Sequence, residues 1–141
     1  RYTTPDCQLS VLEAKWGLVP DMSGTLTLRE LVGMDQAKLL TLTGRIIDGT
    51  EAARIGLVTA SNDDPMSQAT SLAAEICTRS PDSVATGKRL LQDNWHAGER
   101  TALSRERWGQ LGLILGGNFR EAMKANFEKR PPAFKARGWR R

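Results

Sequence analysis

The sequence predicts an α/β protein that is mostly helical, with its few strands confined to residues 1–61. Three observations favour this class. Apolar residues recur at helical spacing from Thr25 onward, and glycine or proline stands at most of the expected helix boundaries. The chain has 141 residues, 40% of them hydrophobic and 26% charged, which is enough apolar material for a core. We expect residues 1–61 to carry the site and residues 62–141 to form a helical region with a basic tail.

The first segment alternates apolar and polar residues, as a half-buried strand does. Cys7, Leu9 and Val11 fall on one face, which predicts a short strand ending near Glu13. The next stretch, residues 12–25, sets two carboxylates, Glu13 and Asp21, on either side of a Gly-Leu-Val-Pro connection. Its Ser-Gly-Thr is typical of a helix start. The chemistry that can be argued from the sequence lies in this stretch.

Three short helices are expected next, each ended by a glycine. The terminating glycines are Gly33, Gly44 and Gly56. Asp48 and Glu51 are spaced as a capping box for the third helix, with the Asp48 side chain accepting a first-turn N–H and Glu51 reaching back. Residues 57–59, Leu-Val-Thr, predict a brief strand after it.

Four longer helices are predicted in the second region. Asp64-Pro65 and Ser80-Pro81 each combine an N-cap residue with proline at the first helical position. The third of these helices covers about residues 101–115 and the fourth about residues 118–129. We expect the third helix to bury Leu103, Trp108, Leu111 and Leu115. The helices carry more apolar surface than they can hide among themselves, so an oligomer interface is expected, with a monomeric bundle as the alternative.

Composition excludes several classes of function. No apolar run approaches the roughly 20 residues of a membrane span, so we expect a soluble, cytoplasmic protein with no membrane partner. Cys7 and Cys77 lack metal-ligand spacing and are expected in the core. The single histidine, His96, has no patterned nucleophile nearby, which argues against a zinc site or a Ser-His-Asp mechanism. We therefore expect no metal.

Much of the formal charge of +4 lies near the end of the chain. The basic residues there are Lys124, Lys129, Arg130, Lys135, Arg137, Arg140 and Arg141. Such a tail can serve nucleic-acid binding, a phosphorylated small molecule or solubility alone. The tail lacks the pattern of a reading helix, which argues against nucleic acid.

In order and spacing, the chain resembles the crotonase (enoyl-CoA hydratase/isomerase) superfamily. The positions that carry the resemblance are Glu13, Gly17, Pro20, Gly24, Thr25, Leu28, Leu31, Val32, Gly33, Leu40, Thr43, Gly44, Arg45, Ile47, Glu51, Ala52, Gly56, Leu57 and Val58. The ending, residues 125–134, is also similar to that family's C-terminal helix and tail. The resemblance implies the C-terminal half of a ClpP/crotonase-type β-β-α spiral, with C-terminal helices that build a homo-trimer or a dimer of trimers.

The resemblance also implies what lies elsewhere. Family members are about twice as long, and their first half supplies much of the CoA site and both backbone N–H donors of the oxyanion hole. That N-terminal half would be needed for activity. Glu13 matches the second of the two glutamates that hydratases of the family use around a water. Leu12 and Ser23 depart from the family pattern, which often has Pro and Gly at these positions.

Asp21 divides two interpretations of the active site. Many hydratases have Gly at this position, whereas the dienoyl-CoA isomerase branch has Asp there and uses it as an acid/base. Asp21 stands eight residues after Glu13, so the two carboxylates can face each other over a substrate and repel. The alternatives are that Asp21 caps the following helix and that Glu13 is a solvent-facing carboxylate.

Further residues are assigned by the same resemblance. Trp16 and Leu18 would line the acyl pocket or lie in the core, and Pro20 and Gly24 complete the substrate-binding set. Phe127 and Lys129 would contact coenzyme A, or serve packing and solubility only.

The resemblance favours an enoyl-CoA hydratase that adds water to 2-enoyl-CoA, a lyase of fatty acid β-oxidation. Coenzyme A would enter as part of the substrate, so no separate cofactor is expected. A dienoyl-CoA or enoyl-CoA isomerase that uses Asp21 is one alternative. A non-catalytic oligomerisation or acyl-CoA-binding fragment is the other.

Overall fold

The computed structural model describes residues 1–137 and confirms the mostly helical α/β class. The chain forms two compact units, one ending at Ser71 and the other beginning at Leu72. Arg140 and Arg141 of the expected basic tail lie outside the described residues.

The strands are short and differ from those expected. Strand β1 (Tyr2–Thr3) pairs in parallel with β2 (Ala60–Ser61), with Tyr2 opposite Ala60. The brief strand expected at residues 57–59 is wrong: Val58 is buried and its N–H donates to the Ala52 carbonyl at 3.2 Å. The strand pairing of this segment therefore begins at Ala60, after the expected strand has ended.

The strand expected around Cys7, Leu9 and Val11 is also wrong. One antiparallel bridge joins Leu9 to Ile47, each N–H donating to the other's carbonyl at 2.9 Å. The Cys7 N–H instead closes a turn onto Thr4 at 3.2 Å. Alternation predicts which side chains face inward, but a strand also needs a partner along its length.

Three helices follow in the first unit. They are α1 (Gly24–Leu31), α2 (Met34–Thr43) and α3 (Gly49–Arg54). Gly44 ends α2 with φ of +58°, a conformation that glycine adopts without strain. Asp48 caps α3, its Oδ1 accepting the Glu51 N–H at 2.8 Å. The expected reach-back of Glu51 is wrong, because its carboxylate binds Arg54 at 2.6 and 2.7 Å, and this hydrogen bonding lowers the pKa of Glu51.

The core of the first unit lies between α2, α3 and the segments that flank them. Its buried members are Leu40, Ile47, Ala52 and Val58, of which Leu40 is 1% exposed. Leu9 and Val11 pack against this cluster. The core thus reaches the residues just before Glu13.

The remaining helices are α4 (Pro65–Cys77), α5 (Pro81–Asn94), α6 (Glu99–Ile114) and α7 (Gly117–Phe127). The expected caps of α4 and α5 are confirmed. Asp64 Oδ1 accepts the Ser67 N–H at 2.9 Å, and Ser80 Oγ accepts the Ser83 N–H at 3.4 Å. Helices α4 and α5 therefore start where the sequence predicts.

The apolar face expected to be buried in α6 is exposed instead. The exposed fractions are 55% for Leu103, 67% for Trp108, 43% for Leu111 and 76% for Leu115. Helix α5 packs on the face of α6 that holds Gly109, where a Cβ would lie 3.3 Å from Leu90 and Thr86. The expectation is wrong because a glycine lets the two helices approach closely on that face. Cys7 is half-buried and Cys77 exposed, so their core assignment is wrong as well.

Helix α4 has no buried residue, and Met66 on it is 74% exposed. Among residues 1–137, no helix combines the length and apolar character needed to cross a membrane.

Candidate functional site

Glu13 opens a short 3-10 turn, Glu13–Trp16. The Leu18 N–H donates to the Glu13 carbonyl at 2.9 Å, and the Gly17 N–H donates to the Ala14 carbonyl at 3.2 Å. Gly17 has φ of +71°, so glycine lets the chain reverse directly after the turn. These bonds fix the backbone that carries the Glu13 carboxylate.

The end of helix α2 supports this turn. A Cβ on Gly44 would lie 3.6 Å from the Val11 carbonyl oxygen and 3.9 Å from the Lys15 nitrogen. Ser10 Oγ donates to the Gly44 carbonyl at 3.0 Å. Because α2 is anchored in the core through Leu40, the Glu13 turn rests on a rigid element.

Glu13 is half-buried, and its carboxylate makes no hydrogen bond or ion pair with any of residues 1–137. The Glu13 carboxylate is therefore not engaged in holding the described fold together. Trp16 and Leu18 beside it are 69% and 64% exposed, so the core alternative for these two residues is wrong. The surroundings of Glu13 are thus an apolar surface with one half-buried carboxylate, an arrangement that suits proton transfer next to an apolar group.

Asp21 is exposed, and its backbone carbonyl accepts the Gly24 N–H at 2.8 Å. The N-cap of α1 is Ser23, which has no side-chain cap hydrogen bond. Within the described part of the chain, the Asp21 carboxylate accepts no hydrogen bond either. The capping alternative for Asp21 is therefore wrong, and its carboxylate is free of a structural partner among those residues.

The segment that follows Asp21 and leads into α1 is strained. Met22 and Ser23 have φ of +40° and +66°, values that L-residues disfavour. Each such residue costs of order 1–3 kcal/mol, and strain of this kind is concentrated at functional sites. Pro20 packs against Gly24, where an added Cβ would lie 3.0 Å from the Pro20 Cβ. Ser23 therefore takes a left-handed conformation at a position where glycine would be unstrained.

Phe127 and Lys129 lie at the end of α7 in the second unit. Phe127 is 78% exposed, which rules out packing within this chain as its role. Lys129 is exposed and has φ of +52°.

The sequence reasoning missed Glu121, which forms an ion pair with Arg130 in the second unit. Its Oε1 lies 2.6 Å from Arg130 Nη1. Hydrogen bonds from Arg130 and from the Ala133 N–H lower the pKa of Glu121 from 4.5 to about 2. The Glu121 bond in turn raises the pKa of Arg130. The sequence feature that could have indicated this contact is Pro131-Pro132. Two prolines cannot continue a helix, so the chain has to leave the direction of α7 near this point.

Two grooves of the described chain are lined by neither Glu13 nor Asp21. One, of about 530 Å³, runs between α1 and α2 and is lined by Leu28, Val32 and Met34 among others. The other, of about 710 Å³, lies within the second unit beside Arg130. No cluster of three or more His, Cys, Asp and Glu that could hold a metal ion occurs in residues 1–137.

Residues 2–137 match the model of the enoyl-CoA hydratase/isomerase family. Methylglutaconyl-CoA hydratase from Mus musculus is 27% identical over 96% of this chain and 45% of its own length. The mitochondrial Δ(3,5)-Δ(2,4)-dienoyl-CoA isomerase of Dictyostelium discoideum is 30% identical over 96% of this chain and 47% of its own. The chain thus spans about half the length of the relatives it matches.

A solved structure has the same fold. The enoyl-CoA hydratase of Bacillus anthracis superposes with a TM-score of 0.90 at 28% identity, over 97% of this chain and 54% of that one. The elements that carry Glu13 and Asp21 and the long helices after them are therefore those of a crotonase fold. With a family match over nearly its whole length, the chain belongs to the enoyl-CoA hydratase/isomerase family.

Proposed function

We propose that this chain is part of an enoyl-CoA hydratase that adds water to a 2-enoyl-CoA, with Glu13 as a general acid/base. The single observation that carries the proposal is half-buried Glu13, whose carboxylate has no partner among residues 1–137 and which stands on a hydrogen-bonded turn beside exposed apolar side chains. A general acid/base needs this combination of fixed position and unengaged carboxylate.

In the proposed reaction, the oxygen of a water bonds to the β carbon and one of its protons leaves with a carboxylate base. The α carbon gains a proton, and the carbon–carbon double bond becomes a single bond. The charge that develops on the thioester oxygen requires hydrogen-bond donors. No residue of this chain is assigned to that role; we propose that it is filled by a segment corresponding to the other half of the relatives.

Coenzyme A would bind as part of the substrate. Phe127 offers an exposed aromatic face, and Lys129 offers an exposed cation. An aromatic ring stacks on a base, and an ammonium pairs with phosphate. We therefore propose these two residues for the CoA nucleotide, and Trp16, Leu18, Pro20 and Gly24 for the acyl end.

We also propose that like subunits cover part of the apolar surface, as a homo-trimer or a dimer of trimers. Trp108 on α6 is 67% exposed, and Leu115 directly after this helix is 76% exposed; such apolar exposure is unusual for an isolated domain. Sedimentation of the purified protein tests this: a monomer at micromolar concentration contradicts it.

An isomerase that uses Asp21 is the second candidate. The dienoyl-CoA isomerase relative favours it, as does the Asp21 carboxylate, which is exposed and caps no helix. A 3,5-dienoyl-CoA separates the two candidates, because isomerisation brings the double bonds into conjugation with the thioester and changes the absorbance. If Asp21 is only an isomerase base, Asp21→Asn abolishes that change and spares hydration.

The third candidate is a non-catalytic oligomerisation or acyl-CoA-binding piece. It predicts that the 141-residue chain alone shows no turnover, and we favour that outcome for the isolated chain. The test is an assay of crotonyl-CoA hydration, monitored as the loss of absorbance of the conjugated thioester. The longest polypeptide that carries this sequence in its source should hydrate crotonyl-CoA, and a failure to do so would contradict the proposed function.

A further inference from the structure

A tight reversal follows helix α7 and places Lys129 in a left-handed conformation. The Lys129 N–H donates to the Asn126 carbonyl at 3.3 Å, and the Arg130 N–H donates to the Ala125 carbonyl at 3.0 Å. This is the hydrogen-bond pattern of a Schellman motif, whose left-handed residue is usually glycine. Because Lys129 has φ of +52°, the backbone alone disfavours this turn. Neighbouring groups must therefore stabilise the reversal.

Two carboxylates bind Arg130 beside the reversal. Glu128 accepts from Arg130 Nε at 2.6 Å, and Glu121 on α7 forms the more extensive contact. The Arg130 guanidinium donates twice to its carboxylate, from Nη1 to Oε1 at 2.6 Å and from Nη2 to Oε2 at 3.2 Å. The Ala133 N–H donates to the same Oε1 at 2.8 Å. A two-pronged guanidinium–carboxylate bond fixes orientation as well as distance. A glutamine at position 121 cannot reproduce it, since one of its terminal atoms is a donor.

Asn118 holds the returning segment at a second point. Its Oδ1 accepts the Lys135 N–H at 2.9 Å, and its Nδ2 donates to the Lys135 carbonyl at 3.1 Å and to Asp82 Oδ2 at 2.7 Å. Asn118 is only 5% exposed, so these bonds are protected from water. We call the segment from Arg130 to Lys135 the strap. It is fastened to α7 at both of its ends.

The side chains of Phe127 and Lys129, at the reversal, are exposed and are not used to hold the strap. Phe127 is the last residue of α7 and is 78% exposed. Lys129 stands two residues later, and its side chain makes no hydrogen bond or ion pair within residues 1–137. The reversal sets where these two groups stand relative to each other. A pair fixed before the ligand arrives binds with less loss of side-chain entropy.

We propose that Glu121 is a positioning residue for coenzyme A: through Arg130 and Ala133 it holds the reversal that presents Phe127 and Lys129 to the nucleotide. This inference rests on the proposed acyl-CoA function. Glu121 contacts neither substrate nor reacting atoms, so its effect should appear in nucleotide binding and not in chemistry.

Kinetics of Glu121→Gln test this role in the longest polypeptide that carries the sequence. We expect the KM for crotonyl-CoA and the inhibition constant of adenosine 3′,5′-bisphosphate to rise together, each about tenfold, with kcat unchanged. Glu75→Gln is the matched control, because Glu75 pairs with Arg79 on the surface of α4, with Oε1 and Nη2 3.5 Å apart. The control removes the same charge and should change neither constant.

Hydrogen exchange supplies a readout that does not depend on activity. The Ala133 amide should exchange faster in Glu121→Gln than in the unmodified protein and the Glu75→Gln control. Unchanged exchange, an unchanged inhibition constant or a fall in kcat equal to that in kcat/KM would each overturn the positioning role. A failure of the proposed function is seen separately, in an unmodified protein that neither hydrates nor binds crotonyl-CoA, and that result would overturn both.

Discussion

Gly24 lies so close to Pro20 that a Cβ at position 24 would stand 3.0 Å from the Pro20 Cβ. Gly24 begins helix α1, and its N–H donates to the Asp21 carbonyl at 2.8 Å. The close approach ties the loop that carries Asp21 to the start of a helix. The path of that loop therefore depends on the absence of a side chain at position 24.

Gly24→Ala should lower activity more than stability. Alanine favours helix by up to about 1 kcal/mol over glycine, which offsets part of the cost of the close contact, about 1–3 kcal/mol. Pro20 has to move by a few tenths of an ångström, and displacement near a reacting centre is costly. We expect kcat/KM for crotonyl-CoA to fall about tenfold.

Gly33→Ala is the control for this variant. Gly33 precedes α2 with an ordinary φ of −66°, and a Cβ there meets nothing within 4 Å. Its steady-state rate should equal that of the unmodified protein. Equal losses in both variants would remove the Pro20 contact from the explanation.

The Asp48 cap should be a measurable part of the stability of the first unit. Asp48→Ala leaves the Glu51 N–H without its 2.8 Å acceptor, and loss of an N-cap costs about 1 kcal/mol. Urea unfolding should show a loss of this size. Asp63→Ala, which removes the same charge from an exposed loop residue, should leave the urea midpoint unchanged. A shift as large as that of Asp48→Ala would point to net charge and not to the cap.

The helices were predictable because their ends are encoded locally. Asp48, Asp64 and Ser80 each accept a first-turn N–H, and Gly44 supplies the left-handed end of α2. Such signals act over three or four residues and need no knowledge of the tertiary fold. The starts of α3, α4 and α5 therefore follow from the sequence directly.

Burial was less predictable, because it depends on partners far along the chain. The apolar face of α6 around Trp108 predicts burial, yet Trp108 is 67% exposed and α5 meets the Gly109 face instead. Periodicity identifies an apolar face but does not say which face a neighbour will approach. The same reason explains why the strand expected around Cys7 does not form: within the described residues this segment pairs only through the Leu9–Ile47 bridge.

Two glycines test the packing of α5 against α6. Gly87 lies inside α5 with nothing within 4 Å of a built Cβ, so Gly87→Ala should raise the free energy of unfolding by about 0.5–1 kcal/mol. A Cβ added at Gly109 would lie 3.3 Å from side-chain atoms of Thr86 and Leu90. Gly109→Ala should therefore stabilise the protein less than Gly87→Ala does, or destabilise it. Equal gains in the two variants would contradict the close approach of these helices.

The bond between Glu121 and Arg130 should make stability depend on pH in the acid range. The folded pKa of Glu121 is about 2, below its ordinary value of 4.5. A carboxyl with a depressed folded pKa stabilises the fold above its unfolded pKa, and this contribution is lost as pH falls toward the folded value. The difference in melting temperature between the unmodified protein and Glu121→Gln should therefore be constant above about pH 5.5 and be largely lost at about pH 2.

Glu75→Gln provides the comparison for this pH dependence. The two side chains of the Glu75–Arg79 pair are 65% and 66% exposed, and exposed pairs contribute little to stability. Its melting temperature should follow that of the unmodified protein at every pH. A Glu121→Gln difference that persists unchanged at pH 2 would show that the effect does not come from ionisation of Glu121.

The family was predictable from the sequence, but the geometry of the candidate site was not. The order of residues around Glu13 identified the family, and the family model matches residues 2–137. The left-handed Met22 and Ser23, in contrast, carry no local signal, because neither residue type favours positive φ. Glu121 was missed because its partners, Arg130 and Ala133, are brought back by a chain reversal beyond the end of the helix.

The role of Glu13 is the central claim, and the rate of crotonyl-CoA hydration by Glu13→Gln tests it most directly. Glutamine keeps the shape of the side chain but cannot exchange the proton, and general acid/base groups contribute about 10²–10⁴-fold. The longest polypeptide that carries this sequence should retain its melting temperature in the variant while kcat falls by about that factor. A Glu13→Gln variant with an unchanged kcat would remove Glu13 from the mechanism.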